Sequence, residues 1–489
     1  MKRVALVGVT GYGGVHFRHL KALAEAGECD LGAAAVVNPE HPDAAAPLAW
    51  LRERGAAVYP TAEALFRAEK GRIGLACLPV GIAAHEPLVR AALDAGADAV
   101  YLGLRAFNMR VGGAHNFSPR ALPAAAALAH GRGAKVYLTL NSIVFDGELR
   151  RMRRMVAAAA PHVDAVLASD WAVVAACRER GVPWHASTQM SCSNTAAAAF
   201  LAENGARRIV LARECTMEEV ARIARAMRRR GVEIEVFVHG AQCVAVSGRC
   251  FLSHEAYGAS ACRGECQQPC RRLFRIVRED ANPGSDRPLA EYSVGAHAVF
   301  SARDLCSLPF LGEIVAAGVS SLKIEGRARP PEYVSTVVGA YRRALDAVQD
   351  GSFSPELAAE LVERCGTVYH RAFGTGLFHG RPAAGRAAFA GDDENLATRR
   401  KRTVGVVEKD WPRAGMAQIR VQDHPFSLGD ELSIQGPTTG EVRVAVTSIR
   451  RDDEVLETAE RGSWATVPRP ARVRPGDKVY LMEKTAPGG

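Results

Sequence analysis

The sequence predicts an α/β protein: a (β/α)8 TIM-like barrel with a Cys-rich insertion, an N-terminal Rossmann-like unit and a C-terminal small β-barrel. Three observations carry this. Eight short apolar runs alternate with Ala-rich helical stretches between residues 73 and 326, the arithmetic of a (β/α)8 barrel of about 250 residues. Six of the twelve cysteines fall in one interruption, 243–318, between the seventh and eighth runs. From residue 404 onward, short alternating segments are punctuated by Leu428-Gly429-Asp430-Glu431 and Pro475-Gly476-Asp477-Lys478, as in a small antiparallel barrel.

A chain of 489 residues corresponds to about three domains at roughly 150 residues each. Hydrophobic residues at 48% and charged residues at 24% exclude a disordered or fibrous chain. No apolar run approaches the ~20 residues of a membrane span. The start, MKRVALVGVTGYGG, runs into glycines without a small-residue cleavage site, and so reads as a first β-strand rather than a signal peptide. The expected location is cytoplasmic, with no membrane partner. Cysteines there stay reduced, which favours metal or catalytic use over disulfides. The net charge of +9 is compatible with nucleic acid or small anionic substrates.

Residues 1–72 read as a βαβ unit: Val4–Val7, a Gly-rich turn, a helix through Ala26 and a second strand near Ala33–Val37. Gly8, Gly11 and Gly13 are the candidate cofactor-binding glycines, since they let a backbone approach a phosphate at a helix N-terminus. The position for a ribose-binding acid reads Val37-Asn38-Pro39, which argues against NAD(P). The barrel is assigned to 73–380, its runs at 73–78, 98–103, 135–140, 164–169, 183–187, 208–212, 233–239 and 321–326. Several follow a Gly that closes the preceding helix, as in AGADAV and RGAKVY. Residues 381–403 read as a linker, with RRKR at 399–402 a solvated tether, and 404–489 as the β-domain.

The chemistry-bearing stretch is EVFVHGAQCVAVSGRCFLS (235–253) followed by CRGECQQPCRR (262–272). Cys243, Cys250, Cys266 and Cys270 follow the seventh strand, and four soft thiolates on one rim suit an iron–sulfur cubane. Structural zinc also takes four cysteines, but its short CxxC knuckles are absent. A radical triad of the form CxxxCxxC fails because the residue after Cys262 and Cys266 that would complete it is Pro269. Buried inert thiols are the bland reading for Cys29, Cys77, Cys177 and Cys365.

Strand C-termini are where a barrel collects its catalytic groups. One step past each run stand Arg105, Asn141, Asp170, Ser187, Gln189, Arg213, His239, Glu325 and Arg327. Arg213 and Arg327 are candidates to clamp carboxylates bidentately, and His239 and Glu325 to move protons. The competing structural reading of Asp170 is a cap for the next helix, and that of His239 a satisfied hydrogen-bonder under the loop. Basic faces at Arg150–Arg154 and Arg228–Arg230 are candidate contacts for RNA phosphates.

The motif Glu235-x-Phe237-x-x-Gly240-x-x-Cys243-x-x-x-Ser247-Gly248-x-Cys250 resembles the signature of the collagenase-like peptidase family U32. AGADAVYLG with FNMR (95–110), LARE (211–214), RGxCxQPCR (263–271), SARDL (301–305), SLKIEGR (321–327) and HRAFGTGLF (370–378) extend the likeness over about 73–485. Gln242 and Cys262 depart from the family pattern. The front end, with LACLPVGIAAHEPLVRAALDAG (75–96), resembles the Gfo/Idh/MocA oxidoreductases.

The family name implies a peptidase. Its better-understood relatives imply an oxygen-independent hydroxylase with a 4Fe–4S cluster, acting on tRNA uridine or other RNA with prephenate as hydroxyl source, or on ubiquinone precursors. The resemblance maps the cluster to Cys243, Cys250 and Cys266, with Cys270 or alternatively Cys306 as fourth ligand. Residue chemistry favours the RNA hydroxylase: no GxSxG, HExxH or Cys–His pairing announces a hydrolase. A peptidase and a non-catalytic cluster-bearing protein are the alternatives.

Overall fold

The computed structural model describes residues 85–112, 116–272, 301–327, 329–380, 395–436, 438–452 and 454–485, with shorter stretches between 3 and 77 and at 276–277 and 291–292. They form two compact units, Met1–Ala83 and Ala84–Gly489.

In the first unit, β1 (Arg3–Val7), β2 (Asp30–Ala35), β3 (Ala57–Tyr59) and β4 (Leu75–Cys77) pair in parallel in the order β3-β2-β1-β4. Ala34 packs with Leu6, Leu31 and Leu51, whereas Ala33 and Ala35 pack with Leu65. Alternate residues of β2 thus serve different cores, as in a parallel sheet covered on both faces. The run at 73–78, expected as the first barrel strand, supplies β4 instead, with Leu75–Cys77 beside Val4–Leu6. A short wholly apolar run has no periodicity to tell one parallel sheet from another. Gly8, Gly11 and Gly13 lie outside the described residues.

Among the described residues the second unit is built on seven parallel strands. They are β5 (Ala99–Gly103), β6 (Lys135–Leu140), β7 (Ala165–Ala168), β8 (Trp184–Ala186), β9 (Ala206–Val210), β10 (Glu233–Gly240) and, after the insertion, β14 (Ser321–Ile324). Helices connect most of them and bury a continuous apolar core with Val136, Leu138 and Leu140 of β6. By the two-residue strand period, Tyr137 and Thr139 face the other way. Within the insertion, β11 (Ile276–Val277) and β12 (Glu291–Tyr292) form a two-stranded pair, and β13 (Asp304–Cys306) runs antiparallel to the end of β10. β15 (Phe373–Gly374) adds to β13. Among the described residues no backbone ladder joins β5 to β14, but Tyr101 Oη of β5 donates to the Ile324 carbonyl at 3.1 Å.

The C-terminal part is an eight-stranded antiparallel sheet with its own core, including Val404, Ile419, Leu432, Ile434 and Val479. The charged run RRKR is not a tether. It opens the long strand Arg399–Trp411 and pairs in register with Leu481–Lys484. Three of its four charges are met by carboxylates: Arg399 pairs with Glu431, Lys401 with Glu332 at 2.7 Å and Arg402 with Glu483 at 2.6 Å. A run of like charge reads as solvated only while its partners, distant in sequence, are unseen.

The inner face of the parallel sheet carries buried charge. Glu235 accepts from Lys323 at 2.6 Å, Ser321 at 2.9 Å and Arg208 at 3.1 Å. Burial alone would raise its carboxyl, but the two cations and these hydrogen bonds outweigh it and pull it down to about 2. A carboxylate depressed on folding contributes stability that is full above its unfolded value and lost as pH falls toward its folded one. Urea midpoints are therefore expected to fall between the ordinary carboxylate range and about pH 2, and to fall less in Glu235→Gln. At neutral pH the same variant leaves buried Lys323 without its carboxylate, while Arg208 keeps Glu233, at an expected cost of about 3–5 kcal/mol.

Candidate active site

Above the Glu235 layer the same face carries a second charged layer, this time unbalanced. Glu325, directly after β14, accepts from Tyr101 Oη at 3.2 Å and lies 3.6 Å from Arg110. Burial would raise its carboxyl, but Arg110, Arg327, Arg213 and the Tyr101 bond together hold it below the ordinary range. One carboxylate thus faces three guanidinium groups.

Arg327 and Arg213 are fixed by neutral groups. Arg327 donates to Asn108 at 2.6 Å, Asn116 at 2.8 Å and Thr139 at 3.2 Å. Arg213 lies 4.0 Å from the Phe237 ring centroid and donates to the Ala241 carbonyl at 2.8 Å. Among the described residues their Nε atoms are buried without a hydrogen-bond partner, as is Glu325 Oε1, the oxygen nearest Arg110. Burial lowers both Arg213 and Arg327 from the usual guanidinium value, with Glu325 opposing. Gly103 makes room: a Cβ there would fall 2.7 Å from Asn116 Oδ1 and closer still to the Arg327 guanidinium.

The thiols adjoin this layer. Arg110 is raised first by Glu325, and the Cys266 and Cys243 thiols add in the same direction. Burial pushes the Cys270 thiol up; Arg271 opposes, and Cys266, Cys243 and Cys250 reinforce it. Four cysteines from two loop segments are therefore electrostatic neighbours. Gly264 supports their loop, with φ of +84° and packed so tightly on the Asn108 carbonyl that no side chain fits. Among the described residues no three His, Cys, Asp or Glu side chains are already set as ligands of a single metal ion. Cys306 stands apart in the apolar core, its thiol pushed up to about 11 by burial and bonded toward Leu308 and Tyr341.

Of the remaining candidates, Asn141 and Ser187 meet, Asn141 Nδ2 donating to Ser187 Oγ at 3.0 Å while its Oδ1 accepts from the Met109 amide. Gln189 abuts Gly248 beside Met109. Arg105 is exposed. Asp170 is a helix N-cap: its carboxylate accepts from the Ala172 and Val144 amides, both at 2.9 Å.

The His239 carbonyl accepts from the Glu325 amide at 3.0 Å, but its imidazole is not among the groups that meet the Glu325 and Arg327 side chains. A register shift between Phe237 and His239 breaks the alternation of β10, and the imidazole is buried among Tyr333, Tyr341 and Phe373. Burial pushes it down to about 3. Its charged neighbours are Asp304 and Arg329, beside a buried Arg371–Asp304 ion pair. Sequence reasoning passed over Arg110, Tyr101, Asn108 and Thr139. Tyr101 and Thr139 lie inside strands rather than one step beyond them, so the signal was the inward period of β5 and β6.

Two outcomes are expected. Gly103→Ala overpacks the Arg327 seat and costs about 1–3 kcal/mol in urea unfolding, non-additively with Arg327→Ala in a double-mutant cycle. The His239 imidazole stays neutral from pH 8 to pH 5, so its ring nitrogen NMR signals do not titrate across that window.

Residues 87–388 match the model of peptidase family U32. A protein named collagenase from Porphyromonas gingivalis is 36% identical over 415 residues, covering 83% of this chain and 97% of its own. The tRNA hydroxylation protein P1 of Bacillus subtilis is 31% identical over 353 residues, 71% of this chain and 81% of its own. A 23S rRNA 5-hydroxycytidine synthase of Escherichia coli is 36% identical over 267 residues, 53% of this chain and 38% of its own. With the family model covering residues 87–388 and two of these relatives above 30% identity over more than two thirds of the chain, the protein belongs to peptidase family U32.

Proposed function

We propose that the chain is an RNA hydroxylase, most directly of tRNA uridine, working in the cytoplasm with a 4Fe–4S cluster and a small carboxylate co-substrate such as prephenate. The observation that carries this reading is the gathering of four thiols, their loops tied through Leu252 and Ser253, beside a layer in which three guanidiniums face one carboxylate. The donor set fits the cluster, because soft thiolates hold iron–sulfur centres, and a cubane spans a larger tetrahedron than a single metal ion. Cys243, Cys250, Cys266 and Cys270 would hold it; Cys306, buried in the apolar core, is the less suited fourth ligand. When bound, the cluster would supply one-electron redox chemistry.

The protein's own residues then have defined tasks. Arg110, Arg213 and Arg327 form an excess of positive charge in a dry site, where a carboxylate is held more strongly than in water. Tyr101 and Arg110 orient Glu325, which is ionised and whose Oε1, facing Arg110 without a hydrogen bond, would accept one from a bound hydroxyl. In this reading the seven parallel strands close as a barrel around the site.

The collagenase-named relative, matching over 97% of its own length, keeps a peptidase as second reading. It predicts proteolysis that survives iron chelation.

The first test is iron and acid-labile sulfide after anaerobic purification. About four of each per chain are expected, lost in Cys243→Ala, Cys250→Ala, Cys266→Ala and Cys270→Ala and kept in Cys306→Ala. Absence of iron overturns the cluster. The reaction is tested by mass spectrometry of RNA nucleosides from cells lacking the gene and complemented with wild type or Arg327→Met. A hydroxylated nucleoside restored only by wild type supports the proposal; unchanged nucleosides with cleaved gelatin support the peptidase.

A further inference from the structure

We propose that the rim flanking the thiols is a stacking platform for unpaired RNA bases; this deepens the RNA reading above and rests on it. Phe251, next to Cys250, is 79% exposed, Phe145 is 59% exposed and Trp171 49%. Large apolar side chains standing in water together mark a surface that something covers. These belong to one surface because their loops are tied to one another. Ile143 N donates to the Cys262 carbonyl, Val144 N to Asp170 beside Trp171, and Arg249 to the Gln189 carbonyl. Phe251 sits on that loop segment with Arg249, and the Leu252 amide donates to Cys250 Sγ at 3.5 Å.

Positive charge is interleaved with the rings. Arg263 lies 5.0 Å from the Phe145 centroid and donates to the Ile143 carbonyl at 2.6 Å, but its charge is met by Glu148, so it fixes the Phe145 loop and leaves the free charge to its neighbours. Arg249 is exposed, and the helix Leu149–Ala159 that leaves the Phe145 loop exposes Arg150 and Arg154, which carry no ion pair among the described residues. Aromatic faces for bases beside arginines for phosphates are the elements of single-strand recognition. A duplex hides its base faces, so only a splayed or unpaired base can use Phe251. A base stacked there lies beside Cys250, which links recognition to the thiol site.

The test uses the full chain with fluorescein-labelled oligo-uridine about 15 nucleotides long and an RNA duplex of the same length. Wild type is expected to prefer the single strand. Phe251→Ala and Phe145→Ala, with unchanged melting curves, are each expected to weaken single-strand binding about tenfold while leaving its salt dependence unchanged. Arg249→Ala is expected to reduce the salt slope by about one. Wild-type affinity in both aromatic variants overturns the platform but leaves the RNA reading standing. Binding of neither RNA by wild type overturns both. Sedimentation showing a dimer that Phe251→Ala dissociates assigns the rim to a second copy of the chain and overturns the platform.

Discussion

Buried charge on the inner face of the parallel sheet is the constraint on which the rest of this structure depends. A sheet that turned only apolar residues inward would need no further explanation. This one turns in Glu235, Lys323 and Arg208, each costly to desolvate alone, and satisfies them by bringing β9, β10 and β14 into a fixed register. Lys323 also lies 4.5 Å from the Tyr101 ring centroid, which draws in β5. The lower layer, balanced because Glu233 also pairs with Arg208, thus positions the unbalanced upper one. Tyr101 is shared: its ring meets Lys323 and its hydroxyl meets Glu325. An excess of guanidinium can persist in the upper layer because Asn108, Asn116 and Thr139 satisfy its N–H groups without neutralising it.

Much of this was legible in the sequence, unevenly and for physical reasons. The strands from 98 onward announced themselves as apolar runs closed by glycines, since the covered parallel strand is the element whose composition is most constrained. Glu325, Arg213 and Arg327 were found because strand ends and rim loops follow from topology. His239 stood at an equally good sequence position, yet one register shift carried it into a different environment, and such shifts leave no mark in a single sequence. Asp170 shows the opposite case, a residue whose local role as a cap outweighs its position on the rim.

The cysteines illustrate what spacing does and does not convey. Their clustering within the insertion pointed to shared chemistry, and Cys270 is an electrostatic neighbour of Cys243, Cys250 and Cys266. Cys306 belongs to the same stretch of sequence but to a different environment, because β13 runs back antiparallel along β10 and buries it in the core. The RRKR run was misread for a similar reason. Charge in sequence looks solvated until long-range partners such as Glu332 and Glu483 are seen.

Glu332 has a wider meaning. It opens the helix Pro331–Asp350 five residues after Arg327, and its two carboxylate oxygens are taken by Lys401 and Gln435 of the C-terminal sheet. The loop that carries Glu325 and Arg327 is thereby braced from outside by a sheet that, among the described residues, supplies no group to the site itself. In design terms the β-domain is a buttress rather than an accessory. A lineage that exchanged it for another module would have to re-face the helix start at the same time, so the two parts are constrained to change together.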